Sequence, residues 1–336
     1  MIIEATGLLQ ENKDLSAAQM RQVMEEIMLG EAFTPQIVSF LAALNKKGET
    51  VEEIAAGVEV MRKFATRIRA DKDIVLDTCG TGGDKKGTFN VSTAVAFVAA
   101  GSGITVAKHG NRSVSSRCGS ADILEALGVN IDLSTDRIEA CLNKIGLAFL
   151  FAQNLHPAMK HAMPARKEIA AKTIFNILGP LSNPAGATHQ LVGVYDYRLT
   201  QVLAEVLLRL ETKSALVVCG KDGLDEITTT DKTFISELKS GKIRNYEISP
   251  EDFGLIRCRP EDLKGASAEE NADMLTAILR AEPGPKRDIV ILNSAAAIYV
   301  AGKVDSIKDG IKAASVSIDS GSALKKLELL KEFSRE

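Results

Sequence analysis

At 336 residues the chain exceeds what one hydrophobic core usually fills, so its length favours a large domain carrying a smaller one. With 45% hydrophobic and 25% charged residues, and 26 Gly against 9 Pro, it has an ordinary globular composition with many tight turns and no Pro-rich disorder. A formal net charge of −3 excludes any global attraction to nucleic acid or anionic membrane, so an anion must be held by a local site.

The opening stretch reads as helices. Ser16 with Gln19 and Thr50 with Glu53 match the reciprocal capping box. Each pair precedes an apolar stripe, with Met20, Val23, Met24, Ile27 and Met28 after the first and Ile54, Val58, Met61 and Phe64 after the second. Thr34-Pro35 starts a third helix between them. These faces are short of partners in so small a unit, which implies packing against another body, including a second copy of the chain. From Asp73 onward short β-branched runs alternate with helices, at 74–76, 92–100 and 104–107, then at 147–151, 191–195, 200–210 and 215–219. That alternation predicts an α/β fold with a mostly parallel central sheet flanked by helices. Residues 233–237 and 243–248, around Ser240-Gly241, read as an edge hairpin. The charged stretch 250–270 reads as a surface excursion, and helices close the chain.

Five cysteines (Cys79, Cys118, Cys141, Cys219 and Cys258) with no C-x-x-C pair argue against a disulfide framework or zinc site and for the cytoplasm. Met1, Ile2, Ile3 and Glu4 do not open a signal peptide, and no apolar run reaches membrane-spanning length.

Asp77-Thr78-Cys79-Gly80-Thr81-Gly82-Gly83-Asp84 follows the first strand, and its glycines let main chain approach a ligand closely. A helix opens at Asn90-Val91-Ser92-Thr93, where free N–H groups and the positive dipole end make an anion site. Phosphate or pyrophosphate is the expected ligand, without the G-K-[ST] of a P-loop or the G-x-G-x-x-G of a dinucleotide fold. A purely structural turn is the plain alternative. The second strand ends in Lys108-His109-Gly110-Asn111-Arg112-Ser113-Val114-Ser115-Ser116, with Ser120 beyond, and strand C-termini are where ligands bind in open α/β sheets. Its cations and hydroxyls suit a phosphate-bearing sugar, against the alternative of a solvated basic loop. Asp225 and Glu226 follow the run at 215–219 and supply the carboxylates that Mg²⁺ takes beside substrate phosphates. Arg166 is a candidate carboxylate fork. His156, His161 and His189 read first as hydrogen-bonded structural residues.

Together D-T-C-G-T-G-G-D, N-V-S-T, K-H-G-N-R-S-V-S-S, G-S-A-D, the Arg166 segment, N-I-L-G-P-L-S-N-P and G-x-D-G-L-D-E resemble the anthranilate phosphoribosyltransferase family of tryptophan biosynthesis, in order along nearly the whole chain. The resemblance implies a small α-helical domain, residues 1–70 with a returning segment near 157–184, and an α/β domain from 71–156 and 185–336. It also implies a cytoplasmic homodimer joined through the helical domains, and no nucleic acid or membrane partner. The implied substrates are 5-phosphoribosyl-1-pyrophosphate (PRPP) and anthranilate, with Mg²⁺ as cofactor at two ions per monomer. Carried across, the PRPP site falls on Gly80, Gly83, Asp84, Thr88, Asn90, Val91, Ser92, Thr93, Lys108, His109, Gly110, Asn111, Arg112, Ser113, Val114, Ser115, Ser116 and Ser120. Metal ligation falls on Ser92, Asp225 and Glu226, and anthranilate contacts on Gly80, Asn111 and Arg166 with His109 and His156 lining the approach. No nucleophilic side chain is required; Lys108 and Arg166 support by charge and position. A pyrimidine nucleoside phosphorylase-like enzyme and a noncatalytic nucleic-acid-binding relative are the competing readings.

Overall fold

The computed structural model describes residues 1–112 and 118–336. Four helices come first: α1 (Ile2–Gln10), α2 (Ala17–Met28), α3 (Thr34–Lys47) and α4 (Val51–Phe64). The capping boxes at Ser16 and Thr50 both form. Glu53 does more than cap, because its buried carboxylate also takes the Leu15 N–H at 2.9 Å and the Lys47 ammonium at 2.9 Å. One side chain thereby ties three chain segments, and its charge is both paired and hydrogen-bonded, as a buried charge must be.

The rest of the chain alternates strand and helix. It runs β1 (Leu76–Gly80), α5 (Val91–Gly101), β2 (Val106–Gly110), α6 (Ser120–Ala126), α7 (Thr135–Ile145) and β3 (Leu147–Phe151). Next come α8 (Ala152–Leu155), α9 (Met163–Ile169), α10 (Ile174–Leu181), β4 (His189–Gly193), α11 (Arg198–Arg209) and β5 (Ser214–Gly220). Two further strands, β6 (Thr233–Lys239) and β7 (Lys242–Ile248), precede α12 (Ala268–Leu279), α13 (Pro285–Val300), α14 (Ile307–Asp319) and α15 (Ser322–Arg335). The seven-stranded sheet has the order β3-β2-β1-β4-β5-β6-β7. Pairings from β3 to β5 are parallel, and β6 and β7 add an antiparallel edge hairpin.

Both sheet faces are buried, and the period of two shows it: Ala215, Val217 and Cys219 join one core, Leu216 and Val218 the other. The first core takes in α1 to α4, α9, α10 and α11, so residues from 162 to 181 pack with the N-terminal helices. The second holds α5, α7 and the four C-terminal helices. No helix among the described residues is long and apolar enough to cross a membrane.

Three strands lie later or earlier than apolarity places them. β1 and β2 run on through Asp77, Thr78, Lys108 and His109, and β4 begins at His189 and Gln190, all of them buried. These polar side chains are tolerated because each has partners, which hydrophobic runs cannot reveal. The stretch 250–270 is likewise no mere excursion. Leu263 is buried, Thr88 bridges Lys264, and the Phe89 N–H donates to the Leu263 carbonyl at 3.0 Å. The segment thus closes over the glycine-rich loop.

Candidate functional site

Chain order runs outward from β1 through β2 to β3 and then crosses to β4 on the other side of β1. This is a topological switch point, where loops leave in opposite directions and a crevice opens beyond the strand ends. β1 ends at Gly80, paired in register with Gly193 at the end of β4. Neither glycine has room for a side chain: a Cβ on Gly80 would stand 2.7 Å from Asp225 Oδ2, and one on Gly193 only 1.6 Å from the Asp225 carbonyl oxygen. The loop after β5 is thereby seated directly against the β1–β4 seam. It is held there by Asn293 of α13, whose side chain accepts from the Ile227 N–H at 2.9 Å and donates to the Ile227 carbonyl at 2.8 Å. Asp222, bonded to Leu224 N–H and Thr228 Oγ1, closes the turn. The Gly82 N–H donates to Asp225 Oδ2 at 2.9 Å, joining the glycine-rich loop to the acidic pair.

The electrostatics of this junction are unbalanced toward negative charge. Burial first, and then Asp84, raises Asp225, while burial and Asp225 raise Glu226. Asp84 Oδ2 is itself buried with no hydrogen-bond partner among the described residues. Asp225 and Glu226, which resist ionising together, beside Asp84 with its unused oxygen, fit a hard divalent cation with oxygen ligands. Among the described residues no three His, Cys, Asp or Glu side chains are grouped so as to hold a metal ion by themselves, so substrate phosphate oxygens and water would have to complete the ion's shell. The counter-charge is Lys108, 3% exposed, donating to the Thr78 carbonyl at 2.6 Å and to Ser92 Oγ at 3.1 Å. Burial lowers its pKa, with Asp77 and Glu226 among the groups opposing that. One of the ammonium's three protons is left for a ligand.

The free N–H groups expected at the start of α5 are engaged. The Val91 N–H donates to the Phe89 carbonyl, the Thr93 N–H to Asn90 Oδ1, and the Ser92 N–H helps hold the Glu226 carboxylate. A phosphate bound at this helix start would exchange for these local contacts. Arg112 is also committed: its guanidinium pairs with Asp122 and Glu125 and lies over the Phe151 ring. Asn111 faces Gln153 through its side chain, and its carbonyl accepts from Ser120 Oγ. Ser113, Val114, Ser115 and Ser116 lie outside the described residues.

A second zone lies under the helical body. Asp77, fully buried in β1, accepts from the His109 N–H at 3.1 Å and from Asn183 Nδ2 at 2.7 Å, and the same Asn183 amide reaches the Ala107 carbonyl. The carboxylate therefore fixes the backbone from which His109 projects. The His109 and His156 rings stand 5.1 Å apart, both buried, each with an unpartnered Nε2 among the described residues. Burial pushes them down to about 3 and about 4, His156 adding to the shift on His109, so both are neutral near pH 7 and line a weakly polar surface. Arg166 in α9 is half-buried, its guanidinium 5.6 Å over the Phe175 ring, with no carboxylate partner among the described residues. Burial lowers its pKa, the condition of a fork that gains from an incoming carboxylate. Sequence reading missed Asn183, Asn293 and Lys172. The first two stand in motif or helix context that gives no sign of their partners 76 to 106 and 66 residues away.

Residues 72–324 match the Glycosyl transferase family, a/b domain, and residues 4–65 the Glycosyl transferase family, helical bundle domain. The chain is 53% identical to the anthranilate phosphoribosyltransferase of Petrotoga mobilis over 96% of its own length and 93% of the relative's. It belongs to the anthranilate phosphoribosyltransferase family. The family member from Acetivibrio thermocellus is 52% identical over 99% of this chain and 96% of its own. The anthranilate phosphoribosyltransferase of Thermus thermophilus has the same fold at a TM-score of 0.94 and 41% identity, with 99% of both chains covered. The Saccharomyces cerevisiae anthranilate phosphoribosyltransferase, solved in complex with PRPP and Mg, matches at a TM-score of 0.91 and 26% identity over 99% of this chain and 98% of that one. These likenesses do not favour the phosphorylase-like or nucleic-acid-binding alternatives.

Proposed function

We propose that this chain transfers the 5-phosphoribosyl group of PRPP to the amine of anthranilate, the tryptophan-pathway reaction of its family. A bond forms between the amine nitrogen and C1 of the ribose, the bond from C1 to the pyrophosphate oxygen breaks, pyrophosphate departs, and the nitrogen loses a proton. The observation that carries the reading is the junction of Gly82, Lys108, Ser92 and the Asp225-Glu226 pair at the switch point. Mg²⁺ supplies charge neutralisation for the diphosphate, and Ser92, Asp84, Asp225 and Glu226 are the residues that would hold it, at two ions per monomer.

The chain's own groups do the rest. Lys108 offers its remaining proton to the leaving oxygens, where negative charge grows. Anthranilate's aniline amine is already neutral near pH 7, so no side chain has to deprotonate it before attack. Arg166 and Asn111 hold its carboxylate and ring, and the neutral His109 and His156 face it, so that nitrogen meets C1. The catalytic contribution is positioning and charge stabilisation. Residues 1–70 with 157–184 form the helical domain in this reading, and 71–156 with 185–336 the α/β domain. The protein works in the cytoplasm as a homodimer. Exposed Ile3, Leu29 and Phe33 on the helical body support a self-association face.

The test is direct: anthranilate fluorescence should fall on addition of PRPP with Mg²⁺ and stay constant when the metal is chelated. Persistence of fluorescence with both substrates and metal present would overturn the assignment.

A further inference from the structure

Lys172 lies between α9 and α10, outside every motif that carries the family likeness to PRPP chemistry. Its carbonyl accepts from Asn45 Nδ2 of α3 at 3.1 Å, which anchors the residue to the helical body. Its side chain crosses to the other body. A Cβ built on Gly83 would lie 3.0 Å from Lys172 Cε and 3.6 Å from its Nζ. The ammonium stands 3.0 Å from the centroid of the Tyr195 ring, just beyond β4. Asp225, Asp84 and Asp196 attract it and Lys85 repels it, yet none of these carboxylates is within ion-pair distance among the described residues. An aromatic face positions a cation without occupying its N–H groups as a carboxylate would. The ammonium is therefore partly desolvated, held at the glycine-rich loop, and still able to donate.

We infer that Lys172 is a diphosphate-binding residue delivered by the helical body, donating to the pyrophosphate of PRPP as it lies on the Gly82-Gly83-Asp84 loop. The inference rests on the proposed PRPP site and deepens it, because the helical body then senses whether the leaving group is in place. Binding of Mg²⁺·pyrophosphate, measured by calorimetry on the wild-type dimer, Lys172→Met and Lys172→Arg, tests it alongside KM for both substrates. Lys172→Met should weaken pyrophosphate and raise the KM for PRPP about tenfold or more, with the KM for anthranilate within about twofold. Lys172→Arg should retain most of the affinity, since the charge is kept. Lys172→Gln serves in the same assay if the Met variant does not fold. Wild-type pyrophosphate affinity in the neutral variants, or an Arg variant as impaired as Met, would overturn the inference. Failure of the wild type itself to bind Mg²⁺·pyrophosphate would instead remove the PRPP site on which it stands.

Discussion

Arg166 illustrates how a single residue can be incomplete by itself. A guanidinium over Phe175 with no carboxylate from its own chain among the described residues is stable only because α9 leaves it half in water. Its truncation should therefore cost substrate rather than fold. Arg166→Ala is expected to raise the KM for anthranilate about 10- to 100-fold, the worth of a charged hydrogen bond, with the KM for PRPP little changed. Equal losses for both substrates would place Arg166 elsewhere. Asp77 makes the opposite case, a residue whose partners are all internal. In Asp77→Asn either the His109 N–H or the Asn183 amide must face another N–H donor, so chemical denaturation should show a loss of about 1–3 kcal/mol. An unchanged midpoint would contradict the network.

The buried imidazoles carry a pH signature. His109 and His156 are pushed down to about 3 and about 4 from 6.5, so the fold binds their protons less tightly than the unfolded chain does. The stability tied to their neutral forms is present above pH 6.5 and is lost as pH falls toward 4 and 3. Asp77, pushed up to about 6 by burial, acts in the other sense, its contribution being lost as pH rises through 6. Asp225 and Glu226, raised chiefly by burial, act in the same sense as Asp77, so the readout is a difference: between pH 6.5 and 4 the urea midpoint of the wild type should fall relative to that of the His109→Gln/His156→Gln double variant. A double variant as acid-sensitive as the wild type would refute the assignment.

At the scale of elements, what matters is how strand ends meet loops. Gly80 closes β1 against the Asp225 carboxylate and Gly193 closes β4 against the Asp225 backbone. A methyl at Gly80 pushes on a side chain tip that can move, whereas one at Gly193 meets main chain that cannot. Gly80→Ala should keep a melting temperature within a few degrees while losing most Mg²⁺-dependent turnover. Gly193→Ala should lower the melting temperature by more, in line with overpacking costs of about 1–3 kcal/mol. Scanning calorimetry beside the fluorescence assay separates the two, and the reverse ranking would show the seam to be otherwise arranged. The helix starts are the elements best read from sequence, because a capping box is a contact between residues three apart. Strands whose polar residues have distant partners were displaced by two residues for the complementary reason.

For the whole molecule, the two cores on either face of the sheet explain why the helical body is not free-standing. Its apolar residues share a cluster with α11 and one face of β4 and β5. What stays uncovered is Phe33 at 75% exposure, with Ile3 at 71% and Leu29 at 56%. If the proposed homodimer joins through this face, light scattering should give a dimer for the wild type and a monomer, still folded by circular dichroism, for Phe33→Asp; a monomeric wild type would overturn the proposed dimer, and an intact dimer in the variant would locate the interface elsewhere.

Sequence alone determined the alternation of strands and helices, the edge hairpin, the glycine, lysine and carboxylate inventory, and the family. These follow from periodicity, capping and motif spacing, all short-range properties of the chain. Only the tertiary structure decided that the Gly82 amide meets Asp225 across 143 positions of sequence, that Asn183 clamps Asp77 from 106 residues away, and that the α5 N–H groups are already taken. Contacts of that separation are set by strand order and by the packing of both faces of the sheet, and neither is written in any local stretch of residues.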